Sequence, residues 1–188
     1  MLNLMNKKTF LLPALLLCLL FPKHSMAQFY SVRTNLVGMA TGNLNVEGSM
    51  AFSARWTAHL PVQYNPFNLW SDAKLKNFTV EPGVRYWMRE SYGGGYFFGI
   101  HGVFSIYNAG GIFGHRYRYE GTAWGGGISA GWVRPLSRRW NIEFELGAGI
   151  VWADWERFRC VHCGKRVAKD NGVRLVPTRT AVNLVYLF

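Results

Sequence analysis

The densest chemistry in this chain is Cys160-Val161-His162-Cys163-Gly164-Lys165, near the C-terminus. A Cys-x-x-Cys pair is half of a tetrahedral zinc site, and His162 adds a third donor. Structural zinc is held by four ligands, however, and the sequence supplies no second pair. In an oxidising compartment the same thiols close a disulfide, which would stiffen a short tip. Cys160 and Cys163 are therefore read as a disulfide, with a Cys160, His162, Cys163 metal site and free thiols as the other states.

Acyl-transfer chemistry needs a nucleophile within reach of a base. His101 and Ser105 fall on one side of an alternating segment but stand two side-chain steps apart, and His59 has no suitable serine. No dyad is read, so the chain is expected not to be an enzyme, and no cofactor is implied. The glycine runs Gly93–Gly95 and Gly125–Gly127 precede no helix whose N-terminus would hold a phosphate.

A larger set of ionisable residues is spread along the chain: Arg33, Glu47, His59, Glu81, Arg85, His101, Glu143, Glu145 and Arg179. Each sits in a segment that alternates apolar and polar residues with the period of a strand. Eight such segments can be read: Phe29–Gly38, Asn43–Phe52, Trp56–Tyr64, Phe78–Arg89, Tyr96–Tyr107, Thr122–Val133, Trp140–Ala153 and Pro177–Phe188. The seventh is the clearest, with Trp140, Ile142, Phe144, Leu146, Ala148, Ile150 and Trp152 on one face and Asn141, Glu143, Glu145, Gly147 and Gly149 on the other. The last puts Phe188, Tyr186, Leu184 and Val182 on one face and ends on an aromatic residue, the closing strand and assembly signal of a barrel whose outside is lipid.

The expected fold is all-β: an eight-stranded antiparallel up-and-down transmembrane barrel. Short turns at Ser53–Arg55, Glu90–Gly95 and Arg134–Arg139 alternate with long external loops at Asn65–Asn77, Asn108–Gly121 and Asp154–Val176. The first external connection, Met39–Gly42, is short and departs from that pattern. Threading places Tyr30, Trp56, Tyr86, Tyr96, Trp132, Trp140 and Tyr186 at one rim and Tyr64, Phe78, Trp124 and Trp152 at the other, as two aromatic girdles. A soluble lipocalin-like barrel would reverse the polarity, greasy within and polar without.

Export fits this address. Lys7 and Lys8 precede an apolar run from Phe10 to Phe21, and Ser25-Met26-Ala27 is a small-x-small cleavage site. The run is shorter than the roughly 20 residues of a membrane-spanning helix. Cys18 lies within it, but the bulky Leu17 disfavours lipidation. Residues 1–27 are read as a cleaved signal peptide and 28–188 as one barrel domain. The formal charge of +11 falls to +8 when Lys7, Lys8 and Lys23 leave. After export the counterpart of that surplus is phosphorylated lipid or acidic polysaccharide rather than nucleic acid.

An eight-stranded barrel is only wide enough for its own side chains. The lumen charges Arg33, Glu47, Glu81, Arg85, Glu143, Glu145 and Arg179 are thus read as a plug of salt bridges, with a narrow gated pore as the alternative. The external loops carry Arg116, Arg118, Arg157, Arg159, Lys165, Arg166, Lys169 and Arg174, with His115 beside them. They are expected to contact lipopolysaccharide phosphates or to dock an acidic partner.

Val-Glu-Pro-Gly-Val-Arg-Tyr-Trp (80–87), Phe-Phe-Gly-Ile-His-Gly (97–102), Tyr-Asn-Ala-Gly-Gly (107–111), Arg-Tyr-Glu-Gly (118–121), Cys-x-x-Cys-Gly-Lys (160–165) and Pro-Thr-Arg (177–179) resemble a family of small exported Bacteroidota proteins, the domain-of-unknown-function family 3575. The resemblance covers essentially the whole mature chain. It implies an outer-membrane β-barrel and, from genes lying beside those for fimbrial subunits and their anchors, a part in assembling or holding surface fimbriae. It implies no biochemical activity. The expected partners are the outer membrane with its lipopolysaccharide, the assembly machinery that inserts barrels, and fimbrial subunits or anchors, around a monomer. The expected role is non-enzymatic, structural or accessory, through the external loops. The alternatives are a small transport or lipid-handling barrel and, behind these, an enzyme that modifies lipid acyl chains.

Overall fold

The computed structural model describes residues 30–70, 73–110, 117–159 and 166–188. Ten strands are joined into one antiparallel sheet that closes on itself: β1 (Tyr30–Asn35), β2 (Leu44–Ser53), β3 (Trp56–Asn65), β4 (Asn68–Trp70), β5 (Ala73–Val80), β6 (Gly83–Trp87), β7 (Gly95–Gly110), β8 (Arg118–Pro135), β9 (Trp140–Phe158) and β10 (Arg166–Leu187). Strands β5 and β6 are one stave. Both pair with β3 and β7, and the register runs through the gap at Glu81 and Pro82 unchanged. The ladder skips there because Pro82 has no N–H to donate. Its carbonyl still accepts from the Gly102 N–H at 2.8 Å, and the Glu81 N–H reaches the Pro61 carbonyl at 3.2 Å.

With β1 paired to both β10 and β2, eight staves close a barrel and leave only the short β4 outside the ring, paired to β5. The eight alternating segments of the sequence are these eight staves.

Two expectations need correction. The first segment does not run as a strand to Gly38. After Asn35 the chain turns into α1 (Leu36–Ala40), whose first turn is capped by the Asn35 side chain accepting the Val37 N–H at 3.1 Å. An asparagine before a short apolar run offers that cap, and the cap outweighs the alternation. The second correction is larger. Much of the three expected long loops is strand: β4 and the start of β5 lie within Asn65–Asn77, β7 continues to Gly110 and β8 begins at Arg118 within Asn108–Gly121, and β9 runs to Phe158 and β10 begins at Arg166 within Asp154–Val176. Charged residues on both faces hide the alternation there, while the backbone ladder carries on: Tyr119 pairs with Arg157 and Lys169 with Glu156.

The long β10 also shifts phase. Its register against β9 slips between Pro177 and Arg179, a bulge at Thr178 beside a proline that cannot donate. Below it Asn183, Val185 and Leu187 face inward. Above it Val173 and Leu175 face out, 59% and 79% exposed.

The result is an inverted barrel. Ile128 and Leu146 on the outer wall are 69% and 68% exposed, whereas Arg33, Arg85 and Glu143 inside are at most 1% exposed. Aromatic side chains meet near the turn end, with ring centroids 5.0 Å apart for Trp56–Tyr86 and Trp140–Tyr186 across strands and for Tyr186–Phe188 along the last one. Nearer the hairpin end, Trp124 pairs in register with Trp152, and Tyr64 with Phe78. Among the described residues no helix is long and apolar enough to cross a membrane.

Candidate functional site: a sealed lumen opening into a vestibule

The interior has three storeys, and the type of residue at the inward positions of each stave decides them. At the turn end Trp87, Tyr92, Phe97, Val133, Val185 and Leu187 pack into an apolar floor. Tyr92 comes from a turn rather than a strand and holds a left-handed backbone at φ 63°. A tyrosine pays about 1 kcal/mol or more for that conformation. The position is fixed by a hydrogen bond between the Tyr92 and Ser49 hydroxyls (2.7 Å) and by the Asn141 amide donating to the Tyr92 carbonyl (2.9 Å). Phe97 lies across the lumen where Gly131 faces it, since a Cβ at Gly131 would run into the Phe97 ring.

Above the floor lies the ionic plug. Arg33 donates through one nitrogen to both oxygens of Glu143, at 2.9 and 2.7 Å, and its Nε is 3.3 Å from Glu47. Arg85 bridges Glu47 (2.7 Å) and Glu145 (2.6 Å), with Glu143 at 3.6 Å. Arg179 reaches Glu145 (3.1 Å), Glu47 (3.5 Å) and Glu81 (3.4 Å). The Asn183 amide donates to Glu143 at 2.9 Å. The guanidinium of Arg85 also lies 5.1 Å from the Phe97 ring centroid and that of Arg33 5.9 Å from Tyr92, so plug and floor form one body. Gly99 makes room for it: a Cβ there would stand 2.5 Å from the Ser129 hydroxyl and 3.4 Å from Cγ of Arg85. Buried charges are tolerable when paired in this way, and removing one partner strands the others.

The charge count of the plug is uneven. Four carboxylates (Glu47, Glu81, Glu143, Glu145) face three guanidiniums (Arg33, Arg85, Arg179). Glu47 has three cationic contacts, Glu143 and Glu145 two each, and Glu81 one. Glu81 is also the carboxylate at the top of the plug.

Over it the lumen opens into a vestibule of about 730 Å³. Its walls are small and mainly apolar, with Val103, Ala123, Val151, Ala153 and Val176 pointing in. Its base carries Glu81, Thr178 and a hydrogen-bonded pair, Thr79 and Ser105, at 2.8 Å. At its mouth stand Tyr107, Tyr119, Trp155, Arg157, Asp170 and Arg174. The Arg174 guanidinium lies 5.0 Å from the Trp155 ring centroid, and that of Arg157 5.1 Å from Tyr117.

A family model described as "Protein of unknown function (DUF3575)" matches residues 12–188 of the chain. The chain belongs to this family. No curated protein and no solved structure matches it.

The lumen residues read from the sequence (Arg33, Glu47, Glu81, Arg85, Glu143, Glu145 and Arg179) are therefore all buried and lie in one connected network. His101 and Ser105 do not meet. His101 Nε2 hydrogen-bonds Thr178 at 2.8 Å instead, because the β10 bulge turns that hydroxyl inward, and its Nδ1 has no partner among the described residues. His59 is buried beside the plug with neither ring nitrogen hydrogen-bonded among those residues.

The basic set splits in two. Arg118 and Arg166 lie on strands and pair with Glu120 (3.3 Å) and Glu156 (2.8 Å), Lys169 is on β10, and Arg159 is exposed just beyond β9. Arg157 and Arg174 lie at the hairpin end too, where they line the vestibule mouth, Arg157 half-buried and Arg174 exposed. On the closing strand Phe188 is exposed, while Tyr186, Leu184 and Val182 are half-buried on the outer face. Residues 1–27, His115, Arg116, Cys160, His162, Cys163 and Lys165 lie outside the described residues, and with them the expectations of a signal peptide and of a disulfide or metal site. Among the described residues no group of three or more His, Cys, Asp or Glu is placed to hold a metal ion.

The sequence missed the vestibule. Its only signal was the run of small inward residues, Val103, Ser105, Ala123, Val151 and Ala153, against the long ones elsewhere in the same strands.

Proposed function

We propose that this chain is exported behind a cleaved signal peptide and resides in the outer membrane as a monomeric, non-enzymatic barrel. Its role is to assemble or anchor other cell-surface components, fimbrial subunits or their anchors first among them, through the walls that project outside. The carrying observation is the combination of an apolar outer belt with strands that continue well past it. On β9 the belt runs from Trp140 to Trp152. That is roughly 40 Å of strand at about 3.3 Å per residue, or about 30 Å in height at a tilt of about 40°, enough to cover a hydrocarbon layer. In water such a surface would aggregate. A closed ring of staves also leaves few free strand edges, which favours a monomer.

Beyond the belt, β7, β8, β9 and β10 continue as hairpins bearing Glu120, Asp154, Glu156, Arg166 and Lys169. A wall of paired strands is a stiffer platform than the loops expected there. The sealed floor and plug argue against passive transport through the lumen.

Two measurements test this. Heating should change the protein's gel mobility and fractionation should place it with outer membranes; an unchanged mobility and a soluble fraction would sink the membrane reading. Crosslinking intact cells and identifying what is captured through the hairpins tests the partner. Fimbrial subunits or anchors support the assembly role, and recovery of lipopolysaccharide alone removes it.

A second reading, a small lipid-handling barrel, is favoured by one observation: the vestibule above the plug.

A further inference from the structure

The vestibule has the size of a small-molecule site, and its polarity is ordered. At about 730 Å³ it falls within the range of ligand pockets, which run from about 300 to 1,000 Å³. It is closed at the bottom by the ionic plug and open towards the hairpins, so a molecule that enters must leave the same way.

Charge is separated along its depth. At the base stands Glu81, buried, with its single cationic contact at 3.4 Å shared among three carboxylates by Arg179. The base therefore offers a carboxyl group and no unshared cation. At the mouth Arg157 and Arg174 face Asp170, whose carboxylate already accepts the Asn171 N–H at 2.8 Å. Neither arginine has a carboxylate partner among the described residues, and the buried Nε of Arg157 has no acceptor among them. Their rings of contact, Trp155 and Tyr117, hold the guanidinium planes in place without neutralising them. Arg157 is half-buried and Arg174 exposed at the rim, and a pair of guanidiniums without carboxylate partners is a site for a planar anion. Between the two ends the walls offer methyl groups: Val103, Ala123, Val151, Ala153 and Val176.

We propose that the vestibule binds an aliphatic carboxylate, with its head group held at the mouth between Arg157 and Arg174 and its hydrocarbon tail lying down against the valine and alanine wall. The base sets the direction. It offers no unshared cation to a carboxylate that enters head first, since Arg179 is already divided among three carboxyl groups, whereas a methyl terminus meets the Thr79–Ser105 pair and the apolar wall. A cationic amphiphile would be repelled by the two arginines before reaching Glu81. The plug makes this a binding site rather than a passage. The inference goes beyond the proposed surface role and does not depend on which solvent surrounds the outer wall.

The test is a methyl NMR titration of the full-length mature protein in bilayer nanodiscs, or in buffer should it prove soluble, with octanoate and octylammonium as probes. Octanoate should produce saturable shifts at the Val103, Val151 and Ala153 methyls, and octylammonium should not. The double variant Arg157→Gln/Arg174→Gln should weaken octanoate binding about tenfold or more while keeping heat-modifiable gel mobility. Because a rim variant can misfold, Ala153→Trp provides a second arm: it fills the cavity while both arginines stay in the sequence, and it should abolish the shifts. Shifts confined to the outward Leu146, Ile150 and Leu175 methyls would show partitioning into the bilayer only and overturn the proposal. Equal binding of octylammonium, or octanoate binding untouched by either variant, would overturn it as well.

Discussion

The two halves of this lumen share the staves from β5 and β6 to β10, yet one is solid and the other hollow. At the turn end the inward positions carry Arg33, Glu47, Arg85, Trp87, Phe97, Glu143 and Glu145, long side chains that meet in the middle. At the hairpin end the inward positions on those or neighbouring strands carry Val103, Ser105, Ala123, Val151 and Ala153, which stop short of the axis. Barrel width is set by strand number and stagger, so side-chain volume alone decides whether the space is filled. Filling it with ions brings a second consequence. Every member of the plug depends on its neighbours, whereas residues around the vestibule face open space and can change one at a time.

That contrast can be broken most severely at Arg85, which touches three carboxylates. Arg85→Ala should cost about 3–5 kcal/mol, since it leaves buried carboxylates without a counter-charge. The reading is the urea midpoint of the mobility-shifted form after refolding into vesicles. An unchanged midpoint would mean the plug adds little to stability. Phe97→Ala removes the ring spanning the floor and should cost about 3 kcal/mol by the same measurement. It should also raise single-channel conductance if the floor is what seals the turn end.

Smaller effects sharpen the difference between the halves. Tyr92→Phe deletes the hydroxyl bonded to Ser49 and leaves the ring in place, so a loss of about 1 kcal/mol is expected. Val103→Ala in the vestibule wall should cost less than about 1 kcal/mol, because the side chain borders space that is already open. A cost as large as that of Phe97→Ala would show the vestibule to be packed in solution. Least of all, Arg166→Ala on the projecting hairpin breaks an exposed pair with Glu156 worth about 0–1 kcal/mol, an effect that should vanish in high salt.

Much of the barrel was legible because period-two alternation is a local property. Trp140 to Trp152 reads as a strand without knowledge of any partner, and the parity of Glu143, Glu145 and Arg179 places them on the face opposite the apolar belt. Where alternation is interrupted or diluted the reading failed. Asn35 caps a helix at a point where the apolar residues still suggested strand. The β9–β10 hairpin, with Glu156, Arg157, Lys169 and Asp170 close together, looked like a loop because pairing between backbones leaves no mark on such a sequence. The Thr178 bulge is of the same kind. Pro177 hints at an irregularity, but only the register against Gly147 and Ala148 reveals that Thr178 turns inward to His101.

Sequence by itself determined the class of this protein: the number of staves, the inverted polarity of the wall and the ionic character of the interior, since each follows from residue type and spacing along a single strand. Which arginine meets which glutamate was decided only by the tertiary structure. So were the single cationic contact left to Glu81, the meeting of Arg157 and Arg174 at the vestibule mouth, and the open space between them. These depend on register between staves distant in the chain and on side-chain volume summed around a closed ring, quantities that no single strand contains.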